Sequence, residues 1–159
     1  MRFTLIKDLK KDKSIKPMLN GLLLFMLLYF LAEVFIDYSN FGLLYEQINT
    51  TLFGDEENFL EPISQASFLE YIHTKIFFMM MILLTLSAVY IRLNTGSSKL
   101  FWLNMMMINA LFMLLALALS YFTHSLFIYP YILTYYLWHI SAFYMVLYSL
   151  WSLNFAKSI

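Results

Sequence analysis

The ionisable side chains that stand in or beside the apolar runs of this chain are Glu33, His73, Lys75, His124 and His139. Such groups are costly in hydrocarbon and mark functional sites by default. Two imidazoles from different helices at one depth can ligate a b-type haem axially; His73 with His139 is the leading pair and His124 the weaker candidate, although His139 lies about 10 Å deeper and the pairing needs a helix shift or tilt. Glu33, His73 and His124 instead make a nitrogen and oxygen donor set suited to zinc or another divalent transition metal. Glu70, three residues before His73 on the same helical face, would then accept from its imidazole. Without any metal the same groups can relay protons, because histidine titrates near neutral pH. Residue type and spacing leave these three chemistries open.

Other templates are missing. There is no GxSxG, no HExxH and no phosphate-cradling glycine loop. The chain has no cysteine, which removes thiolate metal sites, iron–sulfur clusters and disulfides. No stand-alone catalytic activity is expected. Glu33 and Asp37 share a helical face as an acid pair, with Asp37 expected to face water. Asn104 and Asn109 are expected to hydrogen-bond between helices. The triplets at 79–81 and 105–107 are methionine, whose thioethers suit Cu(I). At about 100° per residue three consecutive side chains fan over roughly 200°, so they cannot converge on one ion.

The elements that must position these groups follow from composition. The chain of 159 residues is 62% hydrophobic and 13% charged, too apolar to wet its own surface, so lipid is the solvent. A single membrane domain is expected, an all-α, four-transmembrane-helix, up-and-down bundle with spans at 18–36, 73–91, 101–122 and 132–153. Lys75 and Arg92 are expected to snorkel from the ends of the second span. Between the spans lie a basic segment at 1–17, an acidic loop at 37–72, a short loop at 92–100, a turn at 123–131 and a tail at 154–159. The first run is read as a retained span rather than a cleaved signal, since no small-x-small site precedes Asp37.

Orientation follows from charge. Arg2, Lys7, Lys10, Lys11, Lys13, Lys16, Arg92, Lys99 and Lys157 fall on one side of the four-span arrangement, which places both termini in the cytoplasm. The opposite connection carries Asp37, Glu46, Asp55, Glu56, Glu57, Glu61 and Glu70 without Lys or Arg. Trp102 and Trp151 at one boundary, with Tyr121, Tyr129 and Tyr131 at the other, fit interfacial belts. Pro62 followed by Ser64 predicts a helix start leading into the second span. Asp55, Glu56 and Glu57 read as a solvated acidic surface, lacking the spaced ligands of a calcium loop. The basic segment is a topological anchor, and no nucleic-acid partner is expected. The bilayer is the expected partner, with other membrane subunits or a second copy beside it.

The run FGDEENFLEPIS at 53–64, followed by FLEYIHTKIFFMMMILL at 68–84, resembles an uncharacterised family of small four-helix inner-membrane proteins of Gram-negative bacteria. The resemblance implies residence in the bacterial inner membrane, an acidic periplasmic loop, and histidines at His73 and His139. It implies no reaction. The expectation drawn here is an integral membrane protein that binds haem b or a metal through its outer-half histidines as an electron-transfer or accessory subunit. A non-catalytic structural or assembly protein and a small proton-coupled transporter module are the alternatives.

Overall fold

The computed structural model describes residues 14–94 and 96–155, so Arg2, Lys7, Lys10, Lys11, Lys13 and Lys157 of the charge pattern lie outside the described residues. The described chain is all-helical: α1 (Ile15–Asn40), α2 (Tyr45–Phe53), α3 (Gln65–Leu93), α4 (Lys99–Phe122) and, after a 3-10 turn at Ser125–Phe127, α5 (Ile128–Asn154). Helices of 26, 29 and 24 residues, α1, α3 and α4, are long and apolar enough to cross a membrane. α5 has 27 residues and no Asp, Glu, Lys or Arg, but its tyrosines, serines and tryptophans make it less apolar.

Packing explains that difference. α5 touches α1, α2, α3 and α4, whereas α1 and α3 keep their backbones further apart. A helix packed on several neighbours can carry hydroxyls on its protein-facing side, provided carbonyls satisfy them. Ser141 and Ser149 do this by donating to Trp138 and Met145 carbonyls, and Ser152 donates across to the Leu93 carbonyl of α3 at 2.9 Å. Ala142, Val146 and Ser149, the small-residue stripe that follows His139, are fully buried.

The buried positions repeat at three- and four-residue steps, the spacing of a knobs-into-holes seam. On α1 they are Leu23, Met26, Phe30, Glu33 and Asp37; on α3 they include Phe68, Lys75, Met79, Ile82, Leu86 and Leu93. The same geometry separates the methionine triplets. Met79 and Met106 are buried while Met80, Met81 and Met107 are exposed.

α2 lies within the segment read as an undivided acidic loop. It has a core face of its own, with Ile48 and Leu52 buried. Its start is fixed by Gln47, whose Oε1 accepts from the Leu43 and Leu44 amides. Gly42 permits that approach: it sits at φ +86°, and a Cβ there would fall 2.3 Å from Gln47 Cβ. Ser64 caps α3, its hydroxyl accepting from the Ser67 amide at 3.1 Å.

Candidate functional site

The seam spacing of α1 and α3 carries charge into the interior. Lys75 is 5% exposed, Asp37 3% and Glu33 8%, so neither Lys75 nor Asp37 reaches water as expected. The reason is register: Lys75 falls seven residues from Phe68 and from Ile82, and Asp37 falls seven from Phe30, on the faces those residues bury. Lys75 Nζ donates to Asp37 Oδ2 at 2.5 Å and to Tyr71 Oη at 3.0 Å, and Tyr71 donates to Asp37 Oδ1 at 2.9 Å. The ammonium also lies 5.2 Å from the ring centres of Tyr71 and Tyr135, within cation–π range. This closed triangle neutralises one positive and one negative charge.

Glu33 is left over. Its Oε1 is 3.7 Å from Lys75 Nζ, beyond hydrogen-bond length, and its Oε2 has no hydrogen-bond partner. Opposite Oε2, at 3.8 Å, is Nε2 of His139, also buried and also without a partner. The other imidazole nitrogen, Nδ1, lies 2.9 Å from the Tyr135 carbonyl oxygen. A carbonyl only accepts, so Nδ1 carries a hydrogen and a neutral His139 presents a bare lone pair at Nε2. Two lone pairs then face each other, and one proton between them satisfies both atoms. Two hydrogen bonds through a bridging water would need a separation of roughly 4.5 Å, so the gap suits direct contact after a small closure.

The charges agree with this reading. Lys75 contributes +1, Asp37 and Glu33 −1 each, and neutral His139 nothing, so the cluster carries −1 without that proton and none with it. In a low-dielectric interior the neutral form is strongly favoured over an uncompensated charge. Phe30, Trp138 and Tyr135 surround the imidazole, with ring centres 6.4, 4.6 and 4.2 Å from it.

Between α1 and α3 a cavity of about 270 Å³ is lined by Tyr29, Ala32, Glu33, Ile36, Asp37, Tyr71, Thr74, Lys75 and Phe78. Its rim residues Ala32, Ile36, Thr74 and Phe78 are exposed, so it opens on the flank of the molecule. The charged triangle and Glu33 form its inner wall.

Of the residues expected from the sequence, Glu33 and His139 come together. His73 does not join them. It is exposed, because two residues separate it from buried Lys75 and that rotates it by about 200° around α3. Within the chain His73 and His139 therefore do not face one another as an axial haem pairing requires. His124 is exposed beside the α4–α5 turn, where its Nδ1 accepts from the Leu126 amide at 3.1 Å. Glu70 is exposed. The donor set Glu33, His73 and His124 is thus dispersed, and among the described residues no group of three His, Cys, Asp or Glu side chains could hold a metal ion. Asn109 bonds the Met105 carbonyl of its own helix rather than a neighbour, and Asn104 is exposed. Tyr131, expected in an interfacial belt, is buried.

The sequence names Lys75 and Asp37 but places both at the water boundary, whereas Tyr71 and Tyr135 are the site residues it does not single out. A signal existed in the seven-residue step from Phe68 to Lys75 to Ile82, which places a lysine on the apolar seam.

A family model describing a transmembrane helical domain matches residues 42–158. That stretch holds Tyr71, Lys75, Tyr135 and His139, while Glu33 and Asp37 precede it. No curated protein and no solved structure matches the chain.

Proposed function

The chain belongs to the Aq_1264 family of transmembrane helical domains, and on that premise we propose that it is a proton-coupled membrane module whose Glu33–His139 pair takes up and releases one proton. The observation that carries this reading is the pair of buried, unpartnered atoms facing each other at 3.8 Å, Glu33 Oε2 and His139 Nε2. The Lys75–Asp37–Tyr71 triangle fixes the surrounding charge, so that one proton toggles the cluster between −1 and neutral. The Tyr135 carbonyl pins the imidazole tautomer and directs Nε2 at the carboxylate.

In this reading the molecule is a four-span, up-and-down bundle of the bacterial inner membrane with both termini cytoplasmic. The one-sided distribution of Lys and Arg and the uncharged length of α5 support that arrangement. The bilayer is its medium, and other membrane subunits or a second copy are its candidate partners. No covalent chemistry is assigned to it.

Infrared difference spectra of the protein in lipid, recorded as the pH is lowered, test the proposal. A protonated-carboxyl band should appear that is lost in Glu33→Gln and displaced in frequency in His139→Gln. A spectrum with the same carboxyl bands in wild type and Glu33→Gln would refute the proton site and leave a structural role for the cluster.

A further inference from the structure

The cavity between α1 and α3 has a composition that selects its occupant. Its wall combines a predominantly apolar, aromatic surface from Tyr29, Ile36 and Phe78 with the carboxylates of Glu33 and Asp37 and the ammonium of Lys75. Asp37 is taken up by Lys75 and Tyr71. Glu33 is more than nine-tenths buried and lines the cavity, while its unpartnered Oε2 lies behind the wall, facing His139 Nε2. The wall therefore carries one uncompensated negative charge whenever the Glu33–His139 pair lacks its proton.

We propose that this cavity binds a compact lipophilic monocation, such as a substituted ammonium with an aromatic or short alkyl body. Such a cation would enter from the flank between α1 and α3, past Ala32 and Thr74. A volume of about 270 Å³ is enough to admit a small amine. The Tyr29 and Phe78 rings offer cation–π faces, and Glu33 supplies the counter-charge. A neutral guest would leave the cluster at −1, and an anion would raise it to −2, so charge balance in lipid selects the cation.

Proton and cation are alternative occupants, since each alone brings the cluster to neutrality. The groups that set this balance are Tyr29, Glu33 and Asp37 from α1, Tyr71 and Lys75 from α3, and Tyr131, Tyr135 and His139 from α5. Exchange of one for the other is how a proton gradient would drive movement of such a molecule. This inference rests on the proton site proposed above, and its test separates the two.

The test is calorimetric binding of benzyltrimethylammonium to the full chain in nanodiscs of neutral lipid, with empty nanodiscs subtracted and benzyl alcohol as the neutral comparison. Wild type should bind the cation, release one proton for each cation bound, and lose affinity about tenfold per pH unit wherever the pair holds its proton. Glu33→Gln should abolish binding. Ala32→Trp, which fills the cavity from an exposed position outside the cluster, should abolish binding and keep the Glu33 carboxyl band. Equal binding of benzyl alcohol, or cation binding that survives in Ala32→Trp, overturns the proposal. Absence of cation binding with the Glu33 band intact overturns this inference and leaves the proton site standing. Absence of both overturns both.

Discussion

Replacement of Lys75 by methionine removes one partner of a buried ion pair while keeping the length of the side chain. Lys75 and Asp37 are 5% and 3% exposed and 2.5 Å apart, and Tyr71 bonds to both, so the substitution strands Asp37 beside Glu33 with one donor remaining. Breaking a buried pair in this way costs about 3–5 kcal/mol, roughly two to four powers of ten in the folded-to-unfolded ratio. The cost belongs to the orphaned carboxylate rather than to lost attraction. Removing the whole triangle, as Lys75→Met with Asp37→Leu and Tyr71→Phe, should therefore recover stability to within about 1 kcal/mol of wild type. Reversible SDS-driven unfolding in mixed micelles, followed by tryptophan fluorescence and circular dichroism, measures both variants. A single substitution costing under about 1 kcal/mol, or a triple variant as unstable as the single, would refute the account of the triangle.

Three further outcomes follow from particular residues. Ala142→Leu forces extra volume into a fully buried site on α5 and should cost about 1–3 kcal/mol in the same unfolding experiment. His73→Ala and His124→Ala should leave the pH-dependent carboxyl band of Glu33 unchanged, since both side chains are exposed and neither bonds to a member of the cluster; a changed band in either spectrum would count against that. In the solvent-facing turn Asp55 accepts from the Asn58 side chain and from the Asn58 and Glu57 amides, and these bonds hold its carboxyl below the ordinary value of 3.8. A depressed folded value means the turn is fastened above the ordinary value and loosens as the pH falls through the depressed one. Amide NMR signals of Glu57 and Asn58 should thus hold steady from neutral pH down through that ordinary value and shift below it, and in Asp55→Ala they should be displaced at every pH.

Much of the helical layout was legible because it rests on local rules. Long apolar runs define α1, α3 and α4, and Ser64 after Pro62 marks the start of α3. α2 was not legible in that way: its apolar face is just Ile48 and Leu52, and its capping depends on Gln47 folding back across Gly42, a contact no run of hydropathy reveals. At the site, Glu33 and His139 stood out as rare ionisable groups in apolar surroundings. The burial of Lys75 and Asp37 did not, because each lies near the end of an apolar run where a long or short polar side chain can equally well reach water. Their seam register decides the matter, and it becomes persuasive once each helix is known to have a protein-facing side. His73 misled for the converse reason. Its depth matched that of His124, but depth says nothing about rotation around the helix axis, and about 200° separates it from Lys75.

The central claim is that His139 and Glu33 share one exchangeable proton, and nitrogen-15 NMR of the three histidines across pH addresses it most directly. In wild type the His139 Nδ1 should remain protonated and bonded to the Tyr135 carbonyl at every pH, while Nε2 alone changes in step with the Glu33 carboxyl; Glu33→Gln should remove that step. A His139 bearing its proton on Nε2 with Nδ1 bare, or one whose titration is identical in Glu33→Gln, would contradict the account.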